Sequence, residues 1–273
     1  MPRTAAFVPY PARALVLRAR PLGEKDRVLT LFSPERGRFS AVAKGARGPK
    51  SKLAALAQPF ILARFLLVKG RSLDIVSQAQ IENAHGNLSG TVEKVAWASY
   101  GCEIADTLPE GLPDERGFEI LVVFLGTLDS AEGDESVEAA GLWFEAQWLA
   151  HQGYAAVIGF CASCDEKISL PDDRPNAPIA FSPQQGGTLC ATCAAMQPHT
   201  TVAASSLRAL HRLERSRRAP ASLFDAPFGL ATREIGELGA VLRRCLSHHL
   251  EARLRSQSFL DEIRAAKRLG QSF

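Results

Sequence analysis

The sequence predicts an α+β multidomain chain, with a small N-terminal β-barrel, a helical region, a four-cysteine module and C-terminal helices. Three observations predict it. Short segments in the first 80 residues alternate apolar and polar side chains with the period of a strand. From Val92 onward the apolar residues recur with the period of a helix. Two Cys-x-x-Cys pairs then flank a segment rich in proline and glycine.

Ala14–Arg20 sets Leu15, Leu17 and Ala19 on one face and Val16, Arg18 and Arg20 on the other. Arg27–Ser33 is rich in β-formers and ends at Pro34. Gly37–Lys44 sets Phe39, Ala41 and Ala43 against Arg38, Ser40, Val42 and Lys44, and the turn from Ser33 to Gly37 joins the two as a hairpin. Ile61–Val68 and Leu73–Gln80 are two further strands. Five short strands at this scale predict a closed barrel of OB-fold type.

Charge is sorted along the chain. Overall, 273 residues carry a formal net charge of +3, with 46% apolar and 22% charged residues, an ordinary globular balance. Residues 1–80 hold 15 Lys/Arg against 4 Asp/Glu, whereas residues 81–156 hold 2 against 14. Residues 157–200 hold 2 against 4, and residues 201–273 hold 13 against 7. These ranges predict a nucleic-acid-binding barrel (1–80), an acidic helical region (81–156), a four-cysteine zinc module (157–200) and a basic helical region packing with the acidic one (201–273). A basic excess this dense repels itself, and a polyanion relieves the repulsion. An anionic membrane surface is the competing partner. The run Lys44-Gly45-Ala46-Arg47-Gly48-Pro49-Lys50-Ser51-Lys52 extends the basic strand face of Arg38 and Lys44. Its glycines let a backbone approach phosphates, but Pro49 between Gly48 and Lys50 rules out a nucleotide-binding P-loop. Arg38, Lys44, Arg47, Lys50 and Lys52 are the candidate contacts to DNA.

Trp97, Tyr100, Ile104 and Leu108 form one helical stripe, and Val137, Gly141, Phe144 and Trp148 another. Between them Phe118–Leu128 is apolar all round and reads as a buried helix. These aromatics are read as core. The acidic helices would repel DNA, so they point away from it or meet a basic protein.

Cys161-Ala162-Ser163-Cys164 and Cys190-Ala191-Thr192-Cys193 repeat one spacing across 25 residues. Two such turns complete a tetrahedral shell of four thiolates around one Zn²⁺. The loop-like spacer has little core of its own, so metal would supply what packing does not. A closed shell leaves no position for water, which makes the ion structural. A pair of redox dithiols is the alternative, but no βαβ pattern surrounds either pair. His199 is a weaker substitute ligand, and the deaminase pattern of His-x-Glu before Pro-Cys-x-x-Cys is absent. Cys102 and Cys245 are read as core thiols. No run is long and apolar enough for a signal peptide or membrane span, and the chain reads as cytoplasmic.

In the basic tail, Ser205 or Ser206 caps a helix carrying Leu207, Leu210 and Leu213. A longer helix from Thr232 carries Ile235, Leu238, Leu242, Cys245 and His249 on one stripe, with His249 read as a core histidine. Arg253 and Arg255 stand beside the turn to Phe259 and Leu260, and the remainder is read as frayed.

Taken in order, these features resemble the bacterial recombination mediator family RecO over residues 10–262. The likeness rests on the strand Ala14-Leu15-Val16-Leu17, the hairpin from Arg27 to Phe39, Ala43-Lys44-Gly45-Ala46-Arg47, the four-cysteine insert, and the tail His249-Leu250 to Ser258-Phe259-Leu260. The resemblance implies an OB-fold followed by a helical domain interrupted by a zinc module. It implies binding of single- and double-stranded DNA, annealing of complementary strands, and loading of recombinase with RecR onto strands coated by single-stranded-DNA-binding protein. It further implies that Arg38, Lys44 and Arg47 contact DNA, that no catalysis is involved, and that the protein associates with the nucleoid. Two other readings stand beside it. One is a zinc-ribbon adaptor whose partners are proteins, and the other a zinc-dependent nucleic-acid enzyme, which would need an open metal position.

Overall fold

The computed structural model describes residues 8–48, 51, 53–225, 228–249 and 254–268. It divides into two compact units, Met1–Asp129 with Leu254–Phe273, and Ser130–Arg253.

The first unit opens with five strands: β1 (Tyr10–Leu22), β2 (Asp26–Ser33), β3 (Gly37–Ala43), β4 (Leu62–Val68) and β5 (Asp74–Asn83). They close into a barrel of order β1-β2-β3-β5-β4, the OB-fold-like architecture predicted from the alternation. Closure rests on the short parallel pairing Ala41↔Asp74 and Val42↔Ile75. The interior takes Ala14, Val16, Leu29, Leu31, Phe39, Ala41, Ala63, Phe65 and Leu67. So many alanines keep the bore narrow. Leu56 and Ala57, from the connection between β3 and β4, pack against the same core.

One detail departs from simple alternation. The register of β1 against β2 shifts between Val16 and Arg18. Val16 and Ala19 therefore both serve the barrel core, although an uninterrupted period places them on opposite faces. The shift sits where Val16 bonds another segment, donating to Ile61 O and accepting from Phe60 N, both at 2.9 Å. A bulge of this kind re-aims the residues beyond it, and here it leaves Arg18 and Arg20 exposed.

The outer face of β1–β2 carries Leu15, Thr30 and Phe32, all buried. Two helices of the same unit, α1 (Val92–Asp106) and α2 (Glu115–Ser130), supply its cover. Phe32 meets Phe118 edge to face at 5.8 Å, and Trp97 meets Phe124 at 6.4 Å. Phe118–Leu128 is thus a buried helix segment, as its neighbours implied. Thr91 caps α1 by accepting Lys94 N at 3.3 Å. Gly37 has φ of +59°, and a Cβ there would lie 1.7 Å from Leu112 O, so the connection between α1 and α2 presses on the β2–β3 turn only because that residue is glycine.

Residues 261–268 of the stretch read as frayed continue a helix, Arg255–Arg268, and the remainder lies outside the described residues. Glu103 of α1 caps the helix, accepting Arg255 N at 3.0 Å and Ser256 N at 2.9 Å. Burial opposes the charge of Glu103, yet the Ser256 hydroxyl and these N–H donors hold its carboxyl below the usual range. The apolar residues Leu260 and Ile263 seat the helix.

The second unit is built on α3 (Gly133–His151), whose Trp143, Phe144 and Trp148 are buried. A three-stranded antiparallel sheet follows, of order β7-β6-β8, from β6 (Pro178–Ser182), β7 (Gly187–Leu189) and β8 (Thr200–Ala203). The short helix α4 (Ala191–Ala194) follows β7. Two longer helices, α5 (Ala204–Arg215) and α6 (Thr232–His249), pack on α3; the Arg255–Arg268 helix is then α7. Gln147 donates to Leu213 O at 2.6 Å and Glu214 O at 2.9 Å, satisfying carbonyls at the end of α5. The expected serine cap does not form. Ala203 is the N-cap of α5, and Ser205 and Ser206 lie inside the first turn, bonded to Glu234. Their hydroxyls take a tertiary partner instead. Among the described residues, no helix is long and apolar enough to cross a membrane.

Candidate nucleic-acid corner and metal centre

Most cations of the barrel fall into two groups; outside them, Arg27 donates to Ala57 O at 3.2 Å, and Lys69 and Arg71 stand exposed in the turn between β4 and β5. The first group is spent on carboxylates of the same unit. Arg13 and Arg64 face each other across β1 and β4 and share Glu82, at 2.7 and 2.5 Å. Arg36 lies between the rings of Tyr10 and Phe39 and pairs with Asp74 at 3.1 Å. Arg18 reaches Asp106 at 3.0 Å. Arg38, with its side chain 22% exposed, donates from Nε to Leu108 O at 2.8 Å and stands 3.5 Å from Asp106 and 4.0 Å from Glu110. Its guanidinium thus ties the end of α1 to the barrel. Glu82, Asp106 and Glu110 thus meet arginines of the chain's own barrel.

The second group stands at one corner. Arg20, Lys25, Lys44 and Arg47 are exposed and make no ion pair among the described residues. Lys25 lies in the β1–β2 turn, Lys44 and Arg47 in the segment after β3, and hydrogen bonds join the two. Arg47 N donates to Lys25 O at 2.9 Å, Gly45 N to Asp26 Oδ1 at 2.7 Å, and Arg47 Nη1 to Gly23 O at 2.6 Å. Ala46 is buried between them and anchors the segment to the barrel core. Lys50 and Lys52 lie outside the described residues. Nothing in the sequence singles out Lys25 and Arg20. Their charge is visible there, but the backbone bridge that places Lys25 beside Arg47 is not.

In the second unit the thiols of Cys161, Cys164, Cys190 and Cys193 gather so that all four sulfurs lie within 4.8 Å of one another. Cys164 Sγ and Cys190 Sγ are 3.7 Å apart. A tetrahedron of Zn–S bonds of about 2.3 Å has edges of about 3.8 Å, whereas a disulfide needs about 2.05 Å. The donor set can therefore hold a metal ion. Three of the four are buried and Cys164 is exposed. Backbone N–H donors, foremost Cys190, pull the Cys161 thiol down to about 6, while close approach of the sulfurs pushes Cys164, Cys190 and Cys193 up, so Cys161 is the thiol that ionises first.

The local fold explains the gathering. The first pair sits in a tight turn in which Cys161 N donates to Glu166 O at 2.7 Å and Asp165 N to Cys161 O at 2.9 Å. Buried Thr188 of β7 holds that turn, donating from Oγ1 to Phe160 O at 2.8 Å. A Cβ on Gly187 would lie 2.6 Å from Val157 O, so the close approach of the two pairs also needs a glycine. The second pair opens α4, with Ala194 N donating to Cys190 O at 2.9 Å. His199 is exposed and stays outside the cluster. Cys102 and Cys245 are buried, and desolvation raises both thiols, as core cysteines require.

A family model described as "Recombination protein O N terminal" matches residues 9–85, and one described as "Recombination protein O C terminal" matches residues 90–258. The chain belongs to the RecO family. A protein of Pelotomaculum thermopropionicum named DNA repair protein RecO is 36% identical over 256 residues, covering 93% of this chain and 94% of its own length. Proteins of the same name from Symbiobacterium thermophilum and Anaeromyxobacter dehalogenans are 32% and 34% identical, covering 94% and 91% of this chain and 99% and 94% of their own lengths. RecO membership gives the chain a role in DNA repair and recombination. The RecO N-terminal match spans the barrel and its cationic corner, and the C-terminal match spans both helical stretches and the four cysteines.

Proposed function

We infer that this RecO protein binds single- and double-stranded DNA at the corner of its barrel, anneals complementary strands without covalent chemistry, and with RecR helps load recombinase onto strands coated by single-stranded-DNA-binding protein. The observation that carries the reading is the segregation of cations. Lys25, Lys44 and Arg47 share one corner with no carboxylate paired to them, while Arg13, Arg18, Arg36, Arg38 and Arg64 are each matched to an acid. Charge without an internal partner is charge available to phosphate.

Lys44 and Arg47 are the principal contacts in this reading. Lys50 and Lys52 continue the same charge a few residues along the chain. Lys25 joins them from the neighbouring turn. Arg38 acts by holding the helical cover in place, so that the β1–β2 outer face stays closed and DNA takes the corner. Annealing then follows from screening. A cationic corner lowers the repulsion between two phosphate backbones, and base pairing supplies the free energy with no need for ATP. The metal is Zn²⁺, held by Cys161, Cys164, Cys190 and Cys193, and it replaces a missing core in the insert. With four protein ligands it has no position for substrate, which argues against an enzyme.

The decisive test is salt dependence of binding by the full chain. Log affinity should fall linearly with log salt, at roughly 0.7 per phosphate contact on single strands. Affinity unchanged by a severalfold rise in salt would refute the reading. A second reading, a zinc-ribbon adaptor for proteins, draws on the exposure of Phe160 (52%) and Met196 (71%) next to the cysteine pairs. Partner capture that survives charge reversal at Lys44 and Arg47 would favour it.

A further inference from the structure

The four-cysteine module and α6, both in the second unit, border a cavity of about 280 Å³. Pro183, Pro198 and His199 line it from the module, and Arg244 and His248 line it from α6. Its lining holds no carboxylate. Arg244 and His248 are four residues apart on one helix face, both exposed, and Arg244 makes no ion pair among the described residues.

An aromatic ladder leads from the cavity. His248 meets His249 edge to face at 4.9 Å and 74°. His249 in turn stacks on Tyr154 at 3.8 Å and 16°. Tyr154 remains 44% exposed. His249 is therefore half-buried in a ring stack rather than enclosed in the core, as its place on the apolar stripe had implied. A core histidine would have been packed by aliphatic neighbours. This one stacks on Tyr154, whose ring is open to solvent, and meets His248, which lines the cavity with Arg244.

We propose that this cavity and ladder form a second contact for single-stranded DNA, in which Arg244 takes a backbone phosphate and the His248–His249–Tyr154 rings offer a stacking surface to an unpaired base. It rests on the reading of the chain as a DNA-binding protein and adds a site far along the sequence from the barrel corner. Cation plus exposed ring is the combination that grips single strands, because every base offers a face to stack. A duplex hides those faces and would gain only the phosphate contact. An acidic peptide would use Arg244 and leave the rings idle. His199, across the cavity, donates from Nδ1 to Gln197 O at 3.1 Å, which leaves Nε2 to accept from a sugar hydroxyl or a base N–H.

The test uses the full zinc-loaded chain and fluorescence anisotropy of a labelled oligothymidylate and of a duplex of equal length. Arg244→Glu/His248→Ala should lose about tenfold in single-strand affinity, while duplex affinity, which loses only the phosphate contact, falls clearly less, by about threefold. His248→Tyr should hold the wild-type single-strand affinity, since it keeps the ring. Metal content and melting temperature show that the variants fold, as the substituted side chains are exposed. Unchanged single-strand affinity, equal losses on both DNAs, or a loss confined to an acidic peptide would overturn the proposal. If the wild type binds neither DNA, the barrel reading falls with it. If the wild type binds and the double variant matches it, only this contact falls.

Discussion

The backbone N–H of Arg47 donates to the carbonyl of Lys25 at 2.9 Å. That bond joins two loops separated by two strands, and it makes one cationic corner from residues that are distant in sequence. The side chains carry the charge, but the backbone decides where it stands. The contrast with Arg38, whose guanidinium is turned to Asp106 and Glu110, separates two kinds of arginine on one barrel.

Charge reversal at the corner should therefore cut binding without harming the fold. Lys44→Glu/Arg47→Glu is expected to weaken single-strand binding about tenfold or more and to make the log–log salt slope shallower by roughly 1.4. Anisotropy titrations at several salt concentrations read both numbers. Thermal melting should match the wild type.

Arg38→Ala should behave in the opposite way. It removes the donor to Leu108 O and leaves half-buried Asp106 paired with Arg18 alone. The loss is about 1–3 kcal/mol in folding stability, measured as a lower urea midpoint. DNA affinity at a temperature where the variant is folded should stay close to wild type.

Cys161→Ser should lower zinc content, measured by elemental analysis of the purified chain, from one ion per chain. Three remaining thiolates hold the metal poorly, and metal binding here is folding free energy for an insert with little core. The melting temperature should drop, and DNA binding should follow only indirectly. Chelator should reproduce the effect in the wild type.

Glu214 gives a pH signature in the second unit. Burial pushes its carboxyl from 4.5 up to about 7, against the pull of the Ala156 N–H that it accepts at 2.8 Å. The folded form thus binds the proton more tightly than the unfolded form. The stability this contributes is present below the unfolded value and is lost as pH rises through the folded one. Stability should decline as pH rises from 4.5 to about 7, and Glu214→Gln, which keeps an acceptor for Ala156, should flatten that decline. Melting curves across the range decide it; an equally steep slope in the variant would contradict the assignment.

Much of this was legible in the chain. Period-two runs marked β1 and β3, and β-forming composition bounded by turns marked the other three strands. The cysteine spacing marked the metal centre, since a Cys-x-x-Cys turn is a local structure. What was hidden depended on distant partners. The shift at Val16 comes from a bond to Ile61, 45 residues away. The pairing of Arg38 with Asp106 crosses the whole barrel sequence. The start of α5 was obscured because Glu234 takes the serines that would have capped it. The last helix carried a readable signal in Leu260 and Ile263, and Glu103 supplies the cap that its own sequence lacks.

The central claim is that unpaired cations at one barrel corner bring DNA strands together. The direct measurement is the annealing rate of two complementary labelled strands, without ATP, with wild type and with Lys44→Glu/Arg47→Glu, in the presence and absence of single-stranded-DNA-binding protein. The account predicts fast annealing by the wild type and the spontaneous rate for the variant, with both equally folded. A variant that anneals as fast as the wild type would contradict it.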